Sequence, residues 1–342
     1  MLAARFHLHG TPDVLVYEEA PDPVLRPGWV IVRVRACAMN HLDIWQRRGL
    51  ERVTIPMPHI SGADVAGEIA DVGDGVSGLT VGQRVMLQPG LSCGRCPACL
   101  RGDDNYCPQY DVLGYQSAGG YAELVTVPAA NVIPLPDHAG WVEAAAFPLA
   151  FLTAWQMLHS RARMRSGDTV LVLAAGSGVG QAAVQIAKCF QARVIATAGS
   201  DAKLARATAL GADDVVNHRD QDVVSTVKRL TANRGVDIVV EHVGEATWER
   251  SVRCLARGGR VVTCGATTGH QASLDLRHLF ARQLSLLGSY MGAKSELLQA
   301  ADLFFRGRLK PAVDSTYPLA EAAQAHRRME ASEHFGKIVL LP

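Results

Sequence analysis

Six short runs between Thr169 and Gly288 decide most of what this chain can become. Thr169-Val170-Leu171-Val172-Leu173-Ala174 is continuously apolar, as a strand buried on both faces must be. Further strands read at 193–197, 215–217, 236–241, 260–264 and 284–288. Helix-period segments at 181–190, 202–210, 221–230 and 245–256 separate most of them. Buried strands joined by helical crossovers make a parallel, doubly wound α/β sheet.

The first 130 residues follow a different rule. They are rich in Val, Gly and Pro and alternate in short runs such as Trp29-Val30-Ile31-Val32-Arg33-Val34-Arg35, with glycines at 62, 67, 73, 75, 78 and 82. This spacing predicts a compact, mostly antiparallel β-barrel with little helix. A helix-period segment at 142–158 leads into the α/β region. The tail reads as two helices, 295–305 and 319–329, and a strand, 336–341. Six strands already complete the sheet, so the tail is expected to return to the first domain.

Charge and apolarity exclude several uses. Thirty-four Lys and Arg against 33 Asp and Glu leave a net charge of +1, with no basic excess to hold nucleic acid or an anionic membrane. No stretch reaches the roughly 20 predominantly apolar residues of a membrane span. The first residues, Met1-Leu2-Ala3-Ala4-Arg5-Phe6-His7, lack the apolar core of a signal peptide. A soluble cytoplasmic protein is the expectation.

Four of the eight cysteines crowd into one segment, Cys93-Gly94-Arg95-Cys96-Pro97-Ala98-Cys99 followed by Cys107. Four thiolates close a tetrahedral shell around Zn²⁺ and leave no position for substrate, so one structural zinc is expected here. An iron–sulfur cluster is the lesser alternative. Cys37, Cys189, Cys254 and Cys264 are scattered and read as small buried apolar residues.

After the first apolar run comes Ala174-Ala175-Gly176-Ser177-Gly178-Val179-Gly180, opening a helix expected to begin near Gln181. Glycines at such a turn let the backbone approach a pyrophosphate, and the helix start supplies N–H groups. Gly176, Gly178, Val179 and Gly180 are therefore candidate dinucleotide-binding residues. An NAD enzyme usually carries an acid at the end of the second strand for the ribose 2′-OH. Here Ala198 takes that place, and Ser200 and Lys203 suit a 2′-phosphate. Asp201 is expected to cap the next helix. The cofactor expected is NADPH, with NADH the alternative.

The whole chain resembles the medium-chain dehydrogenase/reductase family, through Asn40-His41-Leu42-Asp43, Gly62-Ala63-Asp64-Val65-Ala66-Gly67-Glu68, the cysteine lobe, Phe147-Pro148-Leu149-Ala150-Phe151-Leu152-Thr153-Ala154-Trp155, and Ala175 with Gly178-Val179-Gly180. The resemblance implies a GroES-like catalytic domain at 1–140 with its zinc lobe near 90–110. It implies a Rossmann domain at 141–290 and a C-terminal return at 291–342. It also implies that Thr153, Val243, Gly265 and Lys337 bind the dinucleotide, and that the chain forms a homodimer through its apolar sixth strand.

Departures from the family pattern shape the expected chemistry. The zinc alcohol dehydrogenases of the family hold a catalytic zinc with Cys, His and Cys. Asn40 stands at the first position, Ala63 at the second with Asp64 in place of Glu, and Leu149 at or next to the third. Such losses resemble the zinc-independent quinone oxidoreductases. The expected reaction is hydride delivery to a small-molecule acceptor, a quinone or an α,β-unsaturated carbonyl. Asn40 is the expected donor to the substrate carbonyl, with Asp43 and His59 as further catalytic candidates. An unusual metal site of His41, Asp43, His59 and Asp64, which would allow alcohol or aldehyde oxidation, is one alternative. A non-catalytic NADPH-binding protein is another.

Overall fold

The computed structural model describes residues 1–50 and 53–342. The chain divides into two compact units: Met1–Leu149 with Ala293–Pro342, and Ala150–Gly292.

The second unit is built on a six-stranded parallel sheet. From edge to edge its strands are Asp214–Asn217, Arg193–Ala198, Thr169–Val172, Val236–Glu241, Leu255–Thr263 and Ser285–Gly288. In chain order this is 3-2-1-4-5-6, the dinucleotide-fold order, with the reversal beside Thr169–Val172. Leu171, Ile195, Val216, Val239 and Val261 form its core together with Val224, Val227 and Val252 from the crossover helices. The expected α/β fold class holds. Several helix limits differ by one to three residues. The 221–230 helix starts at Val223, where Asp222 caps it by accepting from Ser225 N at 2.7 Å. The 245–256 helix stops at Cys254, and the next strand begins at once.

The first unit carries a seven-stranded sheet. Its path runs Val313–Pro318, Lys337–Leu341, Trp29–Ala38, Asp64–Val72, Arg84–Leu87 and Val132–Pro134, and Leu124–Pro128 also pairs with Trp29–Ala38. Val30, Val32 and Val34 are buried while Arg33 and Arg35 face out, the two-residue period of a strand with one wet face. The last strand of the chain pairs Val339 with Ala38 and Leu340 with Cys37. Ala38 also pairs with Asp64. Three strand ends therefore meet at one place, and the same register brings Lys337 opposite Asn40.

The expected helix at 142–158 is broken. Trp141–Ala146 and Pro148–Trp155 are separate helices, followed by a π-helical turn at Gln156–Arg161. Pro148 has no N–H to continue the first helix, and its ring clashes with the preceding turn. An unexpected helix, His41–Arg48, follows the strand that ends at Ala38. No helix among the described residues is long and apolar enough to cross a membrane.

Candidate active site and metal lobe

In the first unit the polar residues gather where those three strands end. Asn40 sits at the N-terminus of the His41–Arg48 helix, and Asp43 accepts from its backbone N–H at 2.7 Å. The Asn40 side chain does not cap the helix. It turns the other way, where Nδ2 donates to Asp64 Oδ2 at 3.0 Å and Oδ1 accepts from Lys337 Nζ at 2.6 Å. Lys337 Nζ also donates to Asp64 Oδ2 at 2.9 Å. The remaining Asp64 oxygen accepts from the backbone N–H of Leu149 at 2.7 Å. The side chains of Lys337 and Asp64 are 3% and 0% exposed, so this is a buried ion pair.

Asp43 lies behind Asn40. Besides the Asn40 N–H it accepts from Tyr121 OH at 3.0 Å and from Gly62 N at 3.2 Å. Burial pushes its carboxyl up to about 6 against the pull of these donors. Gly62 is required here on two counts. Its φ is +106°, and a Cβ would stand 2.5 Å from the Tyr121 ring.

His59 is committed elsewhere. Its Nε2 faces Gly114 O at 2.9 Å, its ring packs on Phe6, and burial lowers its pKa. Nor do His41, Asp43, His59 and Asp64 converge as a metal site. Among the described residues, the four lobe cysteines are the only group of three or more His, Cys, Asp or Glu side chains with convergent ligand atoms. Lys337, expected at the dinucleotide, bonds Asn40 and Asp64. Its pairing partner could not be read locally, because it lies 297 positions away.

The lobe brings Cys93, Cys96, Cys99 and Cys107 together, with all four sulfurs within 4.8 Å of one another. The Cys96–Cys99 and Cys93–Cys99 sulfurs are 3.5 and 4.0 Å apart. Around Zn²⁺ with bonds of about 2.3 Å, tetrahedral sulfurs stand roughly 3.8 Å apart, so the set fits such an ion. Backbone N–H groups of Arg95 and Cys96 draw the Cys93 thiol down to about 6. Asp104 anchors the lobe by accepting from Lys294 N at 2.9 Å. Of the other cysteines, Cys37 and Cys254 are buried, and Cys189 and Cys264 are half-buried. Burial raises the Cys37 thiol well above its usual range and pushes Cys264 up to about 12.

In the second unit the helix Gly178–Cys189 begins three residues earlier than expected. Ser177 caps it, accepting from Gly180 N at 2.8 Å while its Oγ lies 2.8 Å from His242 Nε2. Gly176 and Gly180 are buried in this turn, and Gly178 and Val179 are half-buried. Val243 and Gly265 follow the fourth and fifth strands: Val243 N donates to Glu241 at 2.7 Å, and Gly265 O accepts from Thr263 at 3.2 Å. Thr153 is buried in the Pro148–Trp155 helix.

The end of the second strand corrects one expectation. Ser200, not Asp201, caps the following helix, through Lys203 N at 3.4 Å. Asp201 is already inside the first turn and accepts from Asn217 Nδ2 at 3.1 Å. Sequence reasoning also missed an imidazole and a guanidinium here. His218 Nε2 and Arg219 Nε each stand 3.1 Å from where a Cβ on Gly199 would be. Burial, then Arg219, Arg250 and Lys203, lower the His218 pKa, which marks a cationic cluster beside Ala198. The signal was the His-Arg pair directly after the third strand.

Comparison with known proteins places these features. Residues 26–137 match the alcohol dehydrogenase GroES-like domain, and residues 178–306 match the zinc-binding dehydrogenase domain. Mouse quinone oxidoreductase is 31% identical over 351 residues, covering 100% of this chain and 98% of that protein. The chain belongs to the medium-chain dehydrogenase/reductase family. A 2-haloacrylate reductase from Burkholderia sp. is 30% identical, covering 100% of this chain and 99% of its own length. The crystal structure of an NAD-dependent alcohol dehydrogenase superposes with a TM-score of 0.97 at 48% identity, with both chains covered in full. As a medium-chain dehydrogenase/reductase, this protein is an NAD(P)-dependent oxidoreductase with a four-cysteine cluster able to hold a structural metal.

Proposed function

We propose that this protein transfers hydride from NADPH to a quinone or α,β-unsaturated carbonyl without a catalytic zinc, and that its one zinc fills the four-cysteine lobe. The observation that carries the reading is the closed polar set of Asn40, Asp64 and Lys337. A zinc site needs several thiolate, imidazole or carboxylate ligands. Asn40, Ala63 and Leu149 offer none, both Asp64 oxygens are taken, and an ammonium occupies the neighbourhood. Alcohol oxidation gains from a Lewis acid that stabilises alkoxide, whereas a conjugated carbonyl is already activated.

Bound NADPH supplies the hydride. Asn40 has one amide N–H on Asp64, and its other, 3.5 Å from Ala38 O, is at the far edge of hydrogen bonding. That second N–H is the donor offered to the substrate oxygen as charge builds there. Ser200, Lys203, His218 and Arg219 favour the 2′-phosphate, and Ala198 presents no acid to repel it. The turn 174–180 and Thr153, Val243 and Gly265 complete the dinucleotide site. A cytoplasmic setting suits eight cysteines of which none is in a disulfide.

The test is zinc per chain in protein purified without added metal, with turnover of an enone, a quinone and a simple alcohol under NADPH and NADH. About one zinc, with NADPH-driven reduction of the enone or quinone, is expected. The 48% identical alcohol dehydrogenase favours a second reading, NAD-linked alcohol oxidation. Two zincs with alcohol turnover would establish that reading instead. NADPH binding with no turnover at all would leave a non-catalytic protein.

A homodimer is part of the proposal. Among the described residues no strand pairs with the outer side of the edge strand Ser285–Gly288, and Leu276 and Phe280 on the preceding helix are 66% and 70% exposed. Apolar edge strands pair unless something covers them. Sedimentation at micromolar concentration is expected to show a dimer, and a monomer there refutes it.

A further inference from the structure

We propose that Lys337 is a positioning residue for the reaction, acting through Asn40: it fixes the amide of Asn40 in the one orientation that leaves an N–H for the substrate. This rests on the reading above, hydride transfer to an activated acceptor without catalytic zinc.

A side-chain amide has an acceptor end and a donor end that exchange places by a half-turn about one bond. Backbone surroundings often tolerate both. Here they do not, because the two partners are opposite in kind. Lys337 Nζ carries only donors and lies 2.6 Å from Oδ1. Asp64 Oδ2 carries only acceptor sites and lies 3.0 Å from Nδ2. The half-turn would set N–H against ammonium and a carbonyl oxygen against a carboxylate. The third side of the triangle, Lys337 Nζ to Asp64 Oδ2 at 2.9 Å, ties the two partners together. Within this set Asn40 Nδ2 keeps one hydrogen that is held only by Ala38 O at 3.5 Å.

Without Lys337 the Asn40 oxygen loses its partner, and Asp64 alone no longer keeps the amide in register. The backbone explains how a residue so distant in sequence reaches Asn40. Lys337 opens the last strand, whose Ile338 O accepts from Met39 N at 2.9 Å, so the two strand ends are stitched side by side.

The experiment is a double-mutant cycle on purified protein, with NADPH and an enone as substrates. Lys337→Met is expected to lower kcat by about tenfold or more, as loss of an oriented donor does, while the KM for NADPH stays within about twofold. Adding Lys337→Met to Asn40→Ala is expected to cost nothing further, because Lys337 acts only through the Asn40 N–H. Independent structural contributions would instead multiply. Should Lys337→Met not fold, owing to the lone buried Asp64 charge, Lys337→Met/Asp64→Asn removes both charges and carries the same cycle. A kcat within about twofold of the parent, or losses that multiply, overturns the positioning role. A parent that reduces no enone or quinone overturns the proposed function, and this inference with it. A parent that does, with unaffected variants, overturns this inference alone.

Discussion

Asp64→Ala is expected to cost the first unit about 3–5 kcal/mol, the range found when one partner of a buried ion pair is removed. The carboxylate is fully buried and satisfies three donors: Lys337 Nζ, Asn40 Nδ2 and the Leu149 N–H. Alanine takes this acceptor from all three and leaves an uncompensated ammonium in the interior, met only by the neutral Asn40 Oδ1. The double variant Asp64→Ala/Lys337→Met is expected to regain most of the loss, because replacing both charges avoids the uncompensated one. For a unit of roughly 200 residues each kcal/mol moves Tm by about 2–4 °C, so Asp64→Ala should unfold about 10 °C earlier. Thermal unfolding followed by circular dichroism reads this. A fall of under about 3 °C, or a double variant no better than the single, would show that the pair is not what holds these strand ends together.

The same residues show where sequence reasoning reached and where it stopped. Both faces of the Thr169–Val172 strand are covered, so its apolar run needs no alternation and stands out from any polar context. The cysteine spacing is equally local. The His41–Arg48 helix was invisible because its buried face is polar: Asp43, Gln46 and Arg47 are buried alongside Ile44. Arg47 is satisfied by Gly10 O and His326 Nδ1 and pairs with Glu330. A hydrophobic period cannot report a face held by hydrogen bonds. The contact of Lys337 with Asn40 and Asp64 was illegible for a different reason. Its neighbours are set by strand register between the chain's end and residue 38, and register is a property of pairing, not of either segment. The Ser200 cap turned on a shift of one residue, the usual uncertainty at a helix start. What was missed is thus what depends on long-range pairing or on buried polar contacts, and those same contacts define the candidate active site.

The dinucleotide turn offers the other large effect. A Cβ on Gly180 would stand 2.4 Å from Ala174 O and 2.9 Å from Ala175 Cα, both backbone atoms that cannot swing aside. The glycine is therefore present for close helix–strand packing, and no unusual φ is involved. Gly180→Ala must push the helix Gly178–Cys189 away from the strand or move residues 174–177. Either change disturbs Ser177, whose Oγ accepts from Gly180 N and meets His242. In the proposed function those residues cradle the pyrophosphate, so NADPH affinity is expected to fall about 100-fold, near 3 kcal/mol. Fluorescence titration of NADPH measures it, and a change below about threefold would place the pyrophosphate elsewhere. Zinc content supplies the control. The four cysteines belong to the other unit, so a variant that keeps its zinc while losing NADPH has a local defect at the turn and has not unfolded as a whole.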